Sequence, residues 1–201
     1  MELQELLGED ASRYEKIIQD FLDERIIIIN QTIDSSILED VNLYIIKWNK
    51  EDSDKPAEAR KPIHIYFNSN GGDVVSGLNT IDVIKSSKTK VVGVVFSCAA
   101  SMAGYILMAC HEKVAWKNSV ILVHDGTQGI CASAGKAKDT MRFYENLDGV
   151  VKDLVLSSTC ISEEDYDSNI DREQYMLAEE AKSKGIIDKI IGVDVDMDYI
   201  L

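Results

Sequence analysis

The chain carries three short segments whose residue types could together attack a carbonyl group. Ser101 stands among small residues where a β-branched run gives way to a helical one, so its hydroxyl can face a cleft. His124 follows the apolar run Val120–Val123, where a histidine can take the proton of a serine that is otherwise too weak a nucleophile. Gly71 and Gly72 follow another apolar run and can turn backbone N–H groups toward a developing negative charge. The three segments predict a nucleophile, a general base and an oxyanion site.

Each segment also has a purely structural interpretation, which the sequence leaves open. Serine is a favoured helix N-cap, paired glycines form ordinary tight turns, and a histidine can simply close a strand. Cys98 is intrinsically the better nucleophile, but it lies a turn upstream of Ser101. Phosphate binding is disfavoured, because segment 68–73 lacks the Lys-Ser/Thr of a P-loop and the full G-x-G-x-x-G pattern. Only His124 ends a strand, since His64 lies within one and His111 lies in a charged turn.

Alternating strands and helices position the three segments. Strands are predicted over 25–29, 63–67, 90–96, 120–123 and 186–191, with a further extended piece over 171–177. Helices are predicted over 12–23, 36–48, 75–85, 102–111, 133–157 and 178–184. Strands separated by helix-length segments imply βαβ units, and therefore an α/β protein with a mostly parallel sheet. In such sheets function gathers where strands end and helices begin, which is where all three segments lie.

Length and composition restrict the class of protein. The 201 residues suit a single domain, and an apolar fraction of 45% can build a real core. With 21 Lys and Arg against 35 Asp and Glu, the formal net charge is −14, which disfavours nucleic acid and acidic membrane surfaces as partners. The uncharged stretch 91–110 is long enough to span a bilayer, but its change of texture midway favours a buried strand followed by a buried helix.

The start of the chain and its cysteines indicate a cytoplasmic protein. The first residues are acidic and polar, where a secretory signal needs a basic region followed by an apolar one. The four cysteines show neither C-x-x-C pairing nor histidines at zinc-ligand spacing, which favours buried, reduced thiols. No metal or organic cofactor is implied.

In their order along the chain, the three segments resemble the ClpP family, the serine peptidase subunits of Clp proteases. The matching motifs are N-S-N-G-G-D-V at Gly71, A-A-S-M-A-G at Ser101 and I-L-V-H ending at His124. Segments 21–27 and 175–188 are also similar to the family's first strand and to its C-terminal signature. The resemblance therefore extends over nearly the whole chain.

This resemblance implies the ClpP/crotonase-like α/β fold, a superhelix of βαβ units. It implies one peptidase domain over residues 1–201. The predicted helix 133–157 would belong to a protruding handle, at about 125–175, which the family places between stacked rings. The expected assembly is two stacked heptamers that enclose a chamber.

The resemblance also assigns roles to individual residues. Ser101 would be the nucleophile and His124 the general base. The backbone N–H groups of Gly72 and Met102 would form the oxyanion hole, in agreement with the argument from the glycine turn and the helix start. These roles describe a serine-type endopeptidase.

Three positions near this site depart from the family pattern. Glu173 stands where the family has the aspartate that orients the histidine. In an extended segment Asp171 would face the same side as Glu173, so either carboxylate could reach His124, with Glu173 favoured. Asn70 replaces a proline before the glycines, and Asp125 replaces a glutamine after the histidine. The last two lie beside the expected substrate groove.

Partners are also implied by the resemblance. The substrates would be unfolded polypeptides, delivered by a Clp-type AAA+ unfoldase that uses ATP. Arg172 matches an arginine that pairs with an acid across the two rings. Tyr66 fits the apolar patch that receives the unfoldase, whereas His64 and Ser86 occupy positions that are usually apolar or aromatic.

Three other functions remain compatible with the sequence. The altered acid is consistent with a weakly active or non-catalytic ring subunit that assembles with an active paralogue. A Ser–Lys dyad peptidase would use Ser101 without His124. A crotonase-type acyl-CoA enzyme shares the fold and the two-amide oxyanion hole, but no CoA site is identifiable.

Overall fold

The computed structural model describes residues 3–126 and 129–201, which fold as helices packed on one seven-stranded sheet. The helices α1 to α7 are Leu3–Asp23, Leu43–Glu51, Val74–Ser86, Met102–Ala109, Ala134–Ser158, Glu163–Ser168 and Ala178–Ser183. The strands β1 to β7 are Ile26–Ile29, Ile63–Ser69, Val91–Ala100, Glu112–Trp116, Val120–Val123, Gln174–Leu177 and Lys189–Ile191. A π-helical turn, Leu38–Asn42, leads into α2, and 3₁₀ turns lie at Ala57–Ala59 and Met197–Ile200.

The sheet forks at its longest strand, β3. Five strands follow the order β1-β2-β3-β4-β7, and every pair among them is parallel. The first half of β3 pairs with β4 over residues 92–95, and its end pairs with β5 over residues 98–100. β6 then adds to β5 in the antiparallel direction. Because β3 and β5 end side by side, the fork brings Ser101 and His124 to the same edge of the sheet.

Apolar side chains cover both faces of the central strands. The main core lies between the sheet and α2 to α4, and α4 is buried along its whole length. Alternate residues of β2 and β3 point to the other face, where a smaller cluster forms around Tyr66. The C-terminal segment closes this cluster: Ile200 is buried, and its carbonyl accepts a 2.6 Å hydrogen bond from the Tyr66 hydroxyl.

The predicted fold class is confirmed, since the sheet is mostly parallel and helices cover it. One strand was missed, and several predicted boundaries were wrong. β4 has no counterpart among the predicted strands, because its charged first residues resemble a turn. β3 continues past residue 96 to Ala100, so Ser101 follows the strand directly. α1 begins at Leu3, well before the predicted start at residue 12, because most residues before it are good helix formers.

The handle and the single domain over 1–201 stay predictions. The helix α5 occupies most of the predicted helix 133–157. Part of the predicted handle, at residues 127–128, lies outside the described residues.

Segment 91–110 forms β3 and α4 of the packed sheet, as its change of texture indicates. Within the described ranges, no helix combines the length and the apolar character that crossing a bilayer requires. The cysteines are free thiols, but Cys131 and Cys160 are exposed rather than buried, because they lie in the connections on either side of α5.

Candidate active site

Ser101 occupies the sharp turn between β3 and α4. Its φ of 53° and ψ of −126° are strained for any residue except glycine, so the surroundings must hold the turn. The Ser101 amide donates to the Leu122 carbonyl at 3.0 Å, and the Ser101 carbonyl accepts from the Tyr105 amide at 3.1 Å. A strained strand-to-helix turn of this kind is typical of serines that act as nucleophiles.

The turn at Gly71 and Gly72 packs directly against the Ser101 turn. A Cβ atom at Gly71 would lie 2.6 Å from the Ala100 carbonyl oxygen and 2.8 Å from the Met102 amide nitrogen, so no larger residue fits. The φ angles of the two glycines, 91° and 154°, are both positive. Within the described chain, neither the Gly72 amide nor the Met102 amide donates a hydrogen bond. Two free N–H groups beside a serine are what an oxyanion hole requires.

His124 directly follows β5, and Glu173 directly precedes β6. The antiparallel pairing of Val123 with Gln174 therefore brings the two side chains together. His124 Nδ1 lies 3.8 Å from Glu173 Oε1, which is within ion-pair range but too long for a hydrogen bond. The Glu173 side chain is 56% exposed, against 19% for His124, so the acid approaches the histidine from the solvent side.

The serine and the histidine share a cavity but are not hydrogen-bonded to each other. His124 Nε2 is buried, and it has no hydrogen-bond partner among the described residues. Ser101, His124, Gly72 and Met102 all line one cavity of about 300 Å³. In enzymes without substrate, catalytic hydrogen bonds are often long and close only when the substrate binds. The arrangement therefore has the parts for acyl transfer, with the contact between serine and histidine still to be made.

Asp171, the other candidate acid, is held elsewhere. Its backbone has a φ of 60°, and its amide donates to Asp125 Oδ2 at 3.2 Å. This left-handed conformation breaks the extended geometry that would have placed Asp171 and Glu173 on the same side. Among the described residues, no ion pair or hydrogen bond joins Asp171 to His124.

Two tyrosines that contact the site were not predicted from the sequence. The Tyr105 hydroxyl donates to the His124 carbonyl and so ties the histidine backbone to α4. A hydrogen bond with the Glu173 carboxylate raises the pKa of Tyr175. Both had a signal in the sequence: Tyr105 is the one polar-tipped residue in an apolar helix, and Tyr175 shares a strand face with Glu173.

Other chemistry has less support at this site. Cys98 does not line the cavity, and burial raises the pKa of its thiol, which disfavours the reactive thiolate. No lysine lines the cavity in the part of the chain that the structure describes. Over those same residues, no group of three or more His, Cys, Asp or Glu side chains could hold a metal ion.

Comparison with known proteins extends the match to most of the chain. The family model described as Clp protease matches residues 9–194. ATP-dependent Clp protease proteolytic subunit 2 of Prochlorococcus marinus (strain MIT 9312) is 31% identical over 175 residues, which cover 84% of this chain and 81% of the relative. Proteolytic subunit 3 of the same protease from Synechococcus sp. (strain CC9605) is 30% identical over 194 residues, which cover 93% of this chain and 92% of the relative. The chain therefore belongs to the Clp protease family.

Proposed function

We propose that this chain is a ClpP-type serine endopeptidase that cleaves unfolded polypeptides. The family and the names of the relatives support a peptidase. The observation that carries the serine mechanism is a single cavity lined by Ser101, His124 and the two residues with free amides, Gly72 and Met102. Glu173, 3.8 Å from the imidazole, is the orienting acid.

The reaction begins when a peptide carbonyl enters the cavity with its oxygen toward the two amides. Ser101 Oγ bonds to the carbonyl carbon while His124 Nε2 takes the hydroxyl proton. The carbonyl electrons move onto the oxygen, and the N–H groups of Gly72 and Met102 stabilise the resulting anion. Glu173 stabilises the protonated imidazole. The C–N bond then breaks as the imidazole protonates the departing amine, and water repeats the sequence to release the acyl group.

Active-site labelling and peptide hydrolysis by the purified chain test this proposal. The protein should react with a fluorophosphonate at Ser101 and hydrolyse a fluorogenic peptide. Ser101→Ala should lose the labelling and at least about 10⁴ of kcat. The control is Ser97→Ala, which alters a serine of β3 that does not line the cavity and should keep both activities. Equal hydrolysis before and after Ser101→Ala would overturn the proposal.

A second variant separates the triad from a Ser–Lys dyad. Because His124 is the base in this mechanism, His124→Ala should lose kcat about as severely as Ser101→Ala. Retained hydrolysis in His124→Ala would support a dyad instead.

The proposal extends to the assembly and its partners. The chain would form two stacked heptamers in the cytoplasm, with the substrate delivered by a Clp-type AAA+ unfoldase that uses ATP. The relatives' names, which call their protease ATP-dependent, support the partner that uses ATP, and the exposed Arg172 is available for a contact between rings. Native mass spectrometry of the purified chain should find the double ring, and Arg172→Ala should weaken it. A monomer at micromolar concentration would contradict the assembly.

One observation favours a second candidate, a weakly active ring subunit that assembles with an active paralogue. The orienting acid is a glutamate 3.8 Å from its histidine, and it also bonds Tyr175. Intact rings that fail to react with a fluorophosphonate would favour this candidate, and robust labelling of Ser101 would remove it.

A further inference from the structure

Besides the reacting groups, two acidic residues and a tyrosine line the candidate active-site cavity, and we call them its acidic wall. The two acids are Asp148 of α5 and Asp125, which follows His124. Tyr166 lines the same cavity from α6. His124 lines the same cavity and its Nε2 has no hydrogen-bond partner among the described residues, so the acids lie in the cavity where the proposed reaction takes place. A substrate side chain next to the scissile bond would therefore meet two carboxylates.

No lysine or arginine among the described residues lines any part of this cavity, including its acidic wall. The nearest candidate is Lys152, one turn after Asp148 on α5, but its ammonium is occupied at 2.7 Å from Asp167 Oδ1 and at 2.9 Å from Glu163 Oε1. Among the described residues, the hydrogen bond that Asp125 accepts comes from a backbone amide, that of Asp171. The wall thus carries negative charge that the described chain does not neutralise.

The titration of neighbouring groups agrees with this picture. Burial raises the pKa of Asp148, and the nearby charges of Asp125 and Glu145 raise it further. Burial also raises the pKa of the Tyr166 hydroxyl, and both aspartates add to that effect. A positive charge placed among these groups would stabilise the ionised carboxylate of Asp148.

The rest of the lining suits the stem of a long basic side chain. Val151, Leu122 and Met102 line the same cavity as the reacting groups and the acids, and they supply apolar surface there. Lysine and arginine bury their methylene stems against such surface while their charged ends reach polar groups. A short acidic side chain would instead meet two like charges.

We propose that this cavity selects a lysine or arginine side chain on the residue whose carbonyl is attacked, with Asp148 as the main specificity-determining residue. The inference rests on the proposed function, since it assumes that Ser101 attacks at this cavity. It names the substrate class: polypeptide cut after basic residues.

Two peptides that differ at one position test the selection. One carries lysine and the other norleucine, which has a similar stem without the charge, at the residue before the scissile bond. Binding is measured by fluorescence anisotropy with assembled Ser101→Ala protein, so that no catalysis is needed. The lysine peptide should bind about tenfold more tightly, and the advantage should shrink in high salt.

Matched charge variants locate the effect. Asp148→Asn, made in the Ser101→Ala background, should remove most of the preference for lysine. Asp153→Asn removes the same charge from the same helix outside the cavity and should preserve it. Equal affinities for the two peptides, no measurable binding, or an unchanged preference in Asp148→Asn would overturn the inference. Fluorophosphonate labelling of the wild type reports separately on the proposed function, because it does not depend on this preference.

Discussion

Asp52 and Glu173 both lie near basic side chains, but the first carboxylate is buried and hydrogen-bonded and the second is largely exposed. Asp52 is completely buried, and Arg25 binds both of its oxygens, at 2.5 Å from Nη1 and 3.0 Å from Nη2. Thr89 and Lys55 each donate a further hydrogen bond at 2.9 Å. Glu173, by contrast, is 56% exposed and lies 3.8 Å from its histidine.

The difference separates a carboxylate that holds the fold from one that the proposed mechanism uses. The Asp52 carboxylate is saturated with donors, so its geometry is fixed and it has no capacity left for a substrate. The Glu173 carboxylate keeps that capacity, and His124 Nε2 has no partner in the described structure. The buried pair should therefore govern stability, and the open pair should govern turnover.

Breaking the buried pair should give the largest effect. Asp52→Ala leaves the Arg25 charge buried without its partner, which should lower the free energy of unfolding by about 3–5 kcal/mol. Glu51→Ala is the control, since Glu51 is 46% exposed and lies 3.5 Å from the same guanidinium, and it should cost under about 1 kcal/mol. Urea unfolding measures both variants. Equal losses of unfolding free energy in the two variants would contradict this expectation, because the buried Asp52 would then contribute no more than the exposed Glu51.

Removing the charge of the open pair should affect turnover and leave stability alone. Glu173→Gln can no longer stabilise the protonated imidazole, so kcat on a fluorogenic peptide should fall by up to about 10⁴. Glu173→Asp retains the charge and should keep more of the activity. The urea midpoint should not move in either variant, because the Glu173 side chain is largely exposed. A lower urea midpoint with unchanged kcat would contradict this expectation, because Glu173 would then stabilise the fold and contribute nothing to turnover.

A third carboxylate, Glu112, links the stability of the fold to pH. Burial raises its pKa, but hydrogen bonds from Lys189, Lys90 and Tyr199 outweigh burial and lower the pKa to about 2. Since the folded pKa lies below the ordinary value of 4.5, the ionised form stabilises the protein above pH 4.5. This contribution is lost as the pH falls from about 4.5 to about 2.

Unfolding of Glu112→Gln at several pH values checks this linkage. The stability of the variant should depend less on pH than that of the wild type between pH 4.5 and 2. Asp52 contributes a fall of the same sign, because hydrogen bonds from Arg25 hold its pKa well below the usual range. Parallel curves for the wild type and Glu112→Gln would contradict the expected linkage.

Glu112 also shows why part of the fold was not predictable. Its strand, β4, begins with charged residues that resemble a turn in the sequence. The strand pairs with β3 and β7, and Lys90 and Lys189, both distant along the chain, neutralise the Glu112 carboxylate. Strands whose residues were apolar or β-branched, such as β2 and β5, were predicted with nearly correct ends. The hydrophobic periodicity of the sequence thus predicts strands whose side chains are apolar and buried. It misses strands whose charged side chains are neutralised by tertiary contacts.

The residues of the candidate site also fall into two groups, those that the sequence predicts and those that only the fold brings to the cavity. The order of the motifs was enough to nominate Ser101 and His124, because both follow strands directly. The choice between the two acids depends on the left-handed φ of Asp171, which no residue pattern specifies. Asp148 lines the cavity because of the orientation of α5 about its own axis. The sequence does not indicate that orientation, so Asp148 was not predicted to lie there. Residues next to a strand end were predictable, and those supplied by packing were not.

The smallest expected effect concerns the hydrogen bond that competes for the open carboxylate. Tyr175 bonds Glu173 from the same strand face, and its ring is exposed to solvent. Tyr175→Phe frees the carboxylate to close on His124, so kcat and the rate of fluorophosphonate labelling should rise about two- to fivefold. Tyr14→Phe is the control, because Tyr14 is 63% exposed, as Tyr175 is, and lies on α1 away from the cavity. A fall in both rates would contradict this expectation. It would mean that Tyr175 holds Glu173 in the position that catalysis requires.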